Sequence, residues 1–282
     1  MSKAGAQQTI KRIATIKGIG LHTGSKAALR LIPAEPNTGI VFIGKNRERI
    51  RANSDSVSLT NRSTSLSAAN GASFMTVEHL LSALKGLGID NIEVNLNGKE
   101  MPAMDGSAVI FTKAIKSAGI AKQNSSSRIS WRLKKSRTFK FGSSIYKASP
   151  SKRFQVSVTI DFENTNIGKQ KASLLSLKNY ARSIAPARTF CLAEEIALLK
   201  QANLAKGGSL DNAIVVDESR ILAKDGLRFR NEFARHKLLD FLGDIALFGQ
   251  GNILAKIEAY RPSHKNNILF TKKLRRCLTK VK

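Results

Sequence analysis

Acidic residues are scarce in this 282-residue chain: 20 Asp and Glu stand against 47 Lys and Arg, for a formal net charge of +27. The field around such a molecule attracts anions, so nucleic acid, an anionic membrane surface and a phosphorylated small molecule are the partner classes to weigh. Cysteine is almost missing. Cys191 and Cys277 lie far apart, which excludes a disulfide framework and a four-cysteine zinc site and fits a reducing interior. No apolar run exceeds about half a dozen residues, where roughly 20 are needed to span a bilayer. The first residues show no apolar signal-peptide core, so the expected compartment is the cytoplasm. With 42% hydrophobic and 24% charged residues and only 6 Pro, the chain is neither low-complexity nor disordered, and its length favours two domains.

Hydrophobic periodicity supplies the elements. Ala27, Leu29 and Leu31, then Ile92, Val94 and Leu96, alternate as half-buried strands. Residues 76–86 carry Leu80, Leu81 and Leu84 at helical spacing and close at Gly86 and Gly88; a second helix, with Asp105 as its expected cap, runs through Phe111, Ala114 and Ile115 to Gly119. The polar stretch 122–128, with Ser125, Ser126 and Ser127 in a row, reads as a linker. The expected division is therefore a domain at 1–122, a linker at 123–128 and a second domain at 129–282. In the second part, Phe154, Val156, Val158, Ile160 and Phe162 alternate as a strand. Helices are expected at 193–205, at 232–248 and from His264 onward, a turn at Gly207-Gly208, and strands at 213–216 and 253–257.

The two parts echo each other. His79-Leu80-Leu81, then a glycine turn and a strand, resembles His236-Lys237-Leu238-Leu239, then Gly249, Gly251 and a strand. His236 and Asp240 stand i, i+4 and so project from one helix face, where an imidazole and a carboxylate can reach one metal ion. His79 is the natural third ligand, leaving the fourth position of a catalytic zinc open. Glu78 beside it can take a proton from the attacking water.

Several strings then fall into one pattern: Gly18-Ile19-Gly20-Leu21-His22-Thr23-Gly24, Thr76-Val77-Glu78-His79-Leu80, Gly86-Leu87-Gly88-Ile89-Asp90-Asn91, Met104-Asp105-Gly106-Ser107, Ala187-Arg188-Thr189-Phe190, Gly207-Gly208-Ser209 and Glu232-Phe233-Ala234-Arg235-His236-Lys237. Together, in order from about residue 8 to about residue 270, they resemble the UDP-3-O-acyl-N-acetylglucosamine deacetylase family, zinc hydrolases of lipid A biosynthesis.

The resemblance implies an α+β fold of two domains of similar topology, a layered β-α-α-β sandwich with helices packed between the sheets and a small insert in each domain. It implies one catalytic zinc on His79, His236 and Asp240, with Glu78 as general base, His264 as general acid, Asp244 supporting the protonated His264, and Thr189 completing the oxyanion site. It further implies an acylated UDP-glucosamine substrate: Lys237 and Arg261 at the diphosphate, Phe190 on the sugar, Leu21 also at the substrate, and an acyl passage that includes Ile196, Gly208, Ser209 and Val215. Around the histidine, Ser263-His264-Lys265-Asn266-Asn267 is tighter than the family pattern. The chain is expected to act as a monomer, with transient association with the anionic inner-membrane surface and no specific nucleic acid.

The alternative is a basic nucleic-acid-binding protein. Residues 106–160 hold 12 Lys and Arg and no acid, and residues 272–282 add six more. No aromatic-rich RNA motif, zinc finger or helix-turn-helix accompanies them, and one Trp and three Tyr offer little stacking surface.

Overall fold

The alternating leucines build a sheet whose inner face is closed to water. In the computed structural model, which describes residues 5–69, 71–163 and 165–281, the first part holds β1 (Ala6–Ile10), β2 (Ala14–Ile19), β3 (Lys26–Pro33), β4 (Ile40–Ile43), β5 (Arg49–Arg51), β6 (Val57–Leu59), β7 (Ser65–Ser67) and β8 (Ser73–Phe74). Then come α1 (Glu78–Leu87), β9 (Ile92–Asn97), α2 (Val109–Ala118) and β10 (Ile120–Ser127). The main sheet runs β2-β3-β9-β4-β5, with β9 parallel to β4 and the other pairs antiparallel. Leu29, Leu31, Ile92, Val94 and Leu96 are all fully buried on its inner face. The stretch expected as a linker forms β10 and pairs antiparallel with β1.

The second part holds β11 (Ser130–Leu133), β12 (Arg137–Phe141), β13 (Ser144–Pro150), β14 (Gln155–Phe162), β15 (Gly168–Leu174), α3 (Tyr180–Ser183), β16 (Phe190–Leu192), α4 (Glu195–Gln201), β17 (Ile214–Val216), β18 (Ile221–Leu222), α5 (Glu232–Ala246), β19 (Asn252–Tyr260), α6 (His264–Cys277) and β20 (Leu278–Val281). Its seven-stranded sheet is organised on β19, which pairs with β13, β11 and β14. The small sheets β6-β7-β8 and β16-β17-β18 stand apart from the large ones, as the insert expected in each domain.

Between the sheets, α1 packs on α5, α2 lies against β2 and α1, and α5 lies against β14, β15 and α6. The layers are sheet, helices, helices, sheet. Because α1 is enclosed on every side, Leu80, Leu81, Ala83 and Leu84 are all fully buried, each leucine contributing roughly 1.5–3 kcal/mol. The two central helices touch backbone to backbone: a Cβ on Gly243 of α5 would come within 2.1 Å of the Glu78 carbonyl oxygen. Only glycine permits that approach.

Two local expectations need correction. Asp105 does not cap α2, which starts at Val109; its carboxylate accepts from the Ser107 N–H and hydroxyl and pairs with Arg228 at 2.7 Å. A side chain satisfied in its own turn has no reach left for the helix. The helix expected over 193–205 is only Glu195–Gln201, since Asn203 and Ala205 take φ of 57° and 56° and turn the chain away.

Candidate active site

The starts of α1 and α6 and the middle of α5 converge. His236 Nδ1 lies 3.1 Å from the Ala187 carbonyl oxygen, which can only accept, so Nδ1 carries the proton and Nε2 keeps its lone pair. That Nε2 faces Asp240 Oδ1 at 3.3 Å, and His79 Nε2 faces the same oxygen at 3.6 Å. Oδ1 is buried and accepts no hydrogen bond among the described residues. Ligand atoms of the three residues lie within 4.8 Å of one another.

Donors held 2.0–2.1 Å from a tetrahedral zinc stand roughly 3.3 Å apart. The observed separations fit such an ion, and so does the donor chemistry: a carboxylate oxygen lacking a proton donor, turned toward two imidazole nitrogens. Burial pushes the His236 imidazole down to about 4, which keeps it in the neutral form that binds metal. Burial works against ionisation of Asp240 too, but the His236 ring and the Lys237 ammonium hold its carboxyl well below the usual range.

Two further buried titratable groups, Glu78 and His264, flank this cluster. Glu78 Oε2 accepts from the Thr64 N–H at 3.0 Å, and burial raises its carboxyl above the ordinary value against the opposing pull of His264 and His79. His264 Nε2 lies 4.0 Å from Glu78 Oε1 and 3.9 Å from Asp240 Oδ2. On its other side, Nδ1 donates to Asp244 Oδ2 at 2.9 Å. Burial would lower this imidazole, but the Asp244 carboxylate outweighs it and the group is pushed up to about 9.

The remaining expected residues divide by place. Phe190 meets Phe233 edge to face at 5.0 Å, with the Lys237 ammonium 5.6 Å over its ring. Lys237 Nζ also donates to Asp240 Oδ2 at 2.8 Å, tying this cation to the cluster. Thr189 is fixed through its backbone: its N–H donates to Gly106 and its carbonyl accepts from Ile214. Arg261 stands past the end of β19 with Glu163 3.8 Å away. Ile196 on α4 and Val215 on β17 are half-buried in the second insert. Gly208 and Ser209 lie exposed in the turn before β17, and the Leu21 carbonyl accepts from the neighbouring Gly207 N–H.

Sequence reasoning missed the groups that hold the machinery in place. The Thr64 hydroxyl donates to Asp244 Oδ1 at 2.6 Å, Asn267 Nδ2 donates to Asp244 Oδ2 at 2.8 Å, and the Tyr146 hydroxyl donates to Asn267 Oδ1 at 2.7 Å. Fully buried Glu232 takes the Arg188 N–H at 3.0 Å and Nε at 2.9 Å, anchoring the segment that carries Ala187, Thr189 and Phe190. Glu100 accepts from the His22 and Thr23 N–H groups at 2.8 Å and so fixes the Gly-rich loop. Asn267 left a signal as half of an Asn pair after His264, and Arg188 and Glu232 stand inside the family strings, but Thr64, Tyr146 and Glu100 left none.

The profile of the UDP-3-O-acyl N-acetylglycosamine deacetylase family matches residues 7–276. A UDP-3-O-acyl-N-acetylglucosamine deacetylase of Myxococcus xanthus is 42% identical over 272 residues, 95% of this chain and 86% of that protein. Proteins of the same name from Oleidesulfovibrio alaskensis and Nitratiruptor sp. are 44% identical over 247 residues (86% and 80% of the two chains) and 40% identical over 270 residues (95% and 90%). Nothing in these similarities supports the nucleic-acid alternative.

Proposed function

The chain belongs to the UDP-3-O-acyl-N-acetylglucosamine deacetylase family, and from that premise we propose that it hydrolyses the N-acetyl group of UDP-3-O-acyl-N-acetylglucosamine, releasing acetate in lipid A biosynthesis, with Glu78 and His264 moving the protons. One observation carries the reading: Glu78, His264 and the three donors His79, His236 and Asp240 meet at one point where α1, α5 and α6 converge.

One zinc ion per chain held by His79, His236 and Asp240 would supply a Lewis acid for the water and the amide carbonyl. Glu78, whose raised carboxyl is a better base than an ordinary glutamate, takes the proton of the attacking water. The Thr189 hydroxyl donates to the oxyanion of the tetrahedral adduct. His264 holds a proton on Nε2 at neutral pH, because Asp244 stabilises the imidazolium, and delivers it to the departing glucosamine nitrogen.

For the substrate, Phe190 stacks on the sugar, Lys237 and Arg261 receive the diphosphate, and the acyl chain follows Ile196, Gly208, Ser209 and Val215, with Leu21 beside them. We assign the domains to residues 1–122 and 129–282, joined by 123–128, and the compartment to the cytoplasm, as a monomer. No helix among the described residues is long and apolar enough to cross a membrane.

Metal analysis and acetate release on two variants test the assignment. His79→Ala is expected to lose metal and activity together. Glu78→Ala is expected to keep the metal and lose roughly 10²- to 10⁴-fold in kcat, the usual cost of a general base. Retention of both metal and rate by His79→Ala would remove the site.

A further inference from the structure

Catalysis uses the inner side of α6 and leaves its outer face without a task. The helix carries no Asp or Glu. Lys265, Leu269, Lys272, Lys273 and Arg276 fall at i, i+4, i+7, i+8 and i+11, one stripe along the helix. The opposite face is core, with Ile268, Phe270, Thr271 and Leu274 buried. On the stripe Lys265, Lys273 and Arg276 are exposed, and Leu269 is an apolar side chain left 38% exposed among them.

Strand β12 extends the same surface. Asn266 Nδ2 donates to the Phe141 carbonyl at 3.2 Å, the Phe139 and Phe270 rings meet edge to face at 5.4 Å, and the Lys273 ammonium sits 5.1 Å over the Phe141 ring. The strand and the connection before it add exposed Lys134, Lys135, Arg137 and Lys140. Among the described residues, the only cation of this surface with a carboxylate in ion-pair range is Lys272, 3.6 Å from Asp55.

We propose that the α6–β12 face docks on an anionic lipid surface, its cations among the headgroups and Leu269 at the acyl boundary. Three observations select that occupant. The cations are spread along twelve residues of helix, about 16 Å, and a neighbouring strand, so they match a plane of negative charge and do not converge on a single phosphate. The exposed apolar residue lies inside the basic stripe, as on helices that lie in a membrane interface. Phe139 and Phe141 are half-buried, Phe270 is fully buried, and Lys273 lies over Phe141, which leaves no open platform for stacking bases. The inference rests on the deacetylase reading in one respect: an acylated substrate partitions to the same surface.

Co-sedimentation of the whole protein with vesicles tests it. Wild type is expected to sediment with vesicles of equal parts phosphatidylglycerol and phosphatidylcholine, not with phosphatidylcholine alone, and less as salt rises. Each cation near such a surface accounts for about 5-fold in affinity, so Lys273→Glu with Arg276→Glu should weaken binding at least about 25-fold. Lys134→Glu with Lys135→Glu, on a connection outside the helix, should give a comparable loss. Both double variants should deacetylate a soluble short-acyl substrate at the wild-type rate, and that readout separates failure of docking from failure of the active-site reading. Absence of wild-type binding, equal binding by the variants, or tighter binding of single-stranded RNA than of vesicles through the same residues at physiological salt would each overturn the proposal.

Discussion

Asp244 is fully buried yet receives hydrogen bonds from His264, Thr64 and Asn267, so its carboxylate has partners at both oxygens. That arrangement favours the protonated form of His264. Because its folded-state pKa of about 9 stands above the ordinary 6.5, the imidazolium stabilises the native state fully below the ordinary value, and this contribution is lost as pH rises through 9. Activity should follow the same proton: kcat/KM is expected to fall as pH rises through about 9, and His264→Gln should remove that limb while lowering the rate roughly 10²- to 10⁴-fold. A basic limb unchanged in His264→Gln would assign the proton elsewhere. At this scale the sequence shows what is local. His236 and Asp240 are visible because one helical turn separates them. Thr64 is not, since its bond to Asp244 joins positions 180 residues apart and nothing in the string Asn61-Arg62-Ser63-Thr64 announces it.

Among the elements, α1 and α5 were legible because each combines a helical apolar pattern, a histidine near its start and a glycine turn leading into a strand. The small sheets were harder to read. Three-residue strands such as β6, β7 and β16 are too short to express a period. The Arg188–Glu232 pair shows what such patterns leave out: it ties the start of α5 to the segment before β16 and lies wholly inside, with side chains 5% and 0% exposed. Burial opposes the Glu232 charge, yet the Arg188 hydrogen bonds outweigh it and its pKa is lowered. A depressed carboxyl stabilises the fold above its ordinary pKa of about 4.3 and loses that contribution as pH falls through the folded value. Glu232→Gln leaves a buried guanidinium without its counter-charge, so urea unfolding at neutral pH should show a loss of about 3–5 kcal/mol. The gap to wild type should narrow as pH is lowered below about 4. A constant gap across that range would mean that packing, not charge, makes the contact matter.

For the whole molecule, the decisive fact is that neither half contains the site. Thr64, Glu78 and His79 come from the half built on the β2-β3-β9-β4-β5 sheet, and His236, Asp240, Asp244 and His264 from the half built on β19. The repeat of histidine, helix, glycine turn and strand marks the two halves in the sequence. Their contact distance could not be read from it, because that depends on Gly243 lying against the Glu78 backbone. A metal ion shared by His79 on α1 and by His236 and Asp240 on α5 would link the two halves, binding the folded chain and not the unfolded one. At free zinc 100-fold above its dissociation constant the link is worth about 2.7 kcal/mol. For a chain of 282 residues that corresponds to a rise in Tm of roughly 4–5 °C. Calorimetry with zinc and with chelator should show this shift in wild type. His79→Ala should melt near the chelated wild type under both conditions, since its remaining donors belong to one helix. If wild-type Tm did not respond to metal, the three donors would be a buried hydrogen-bonding cluster and not a ligand set.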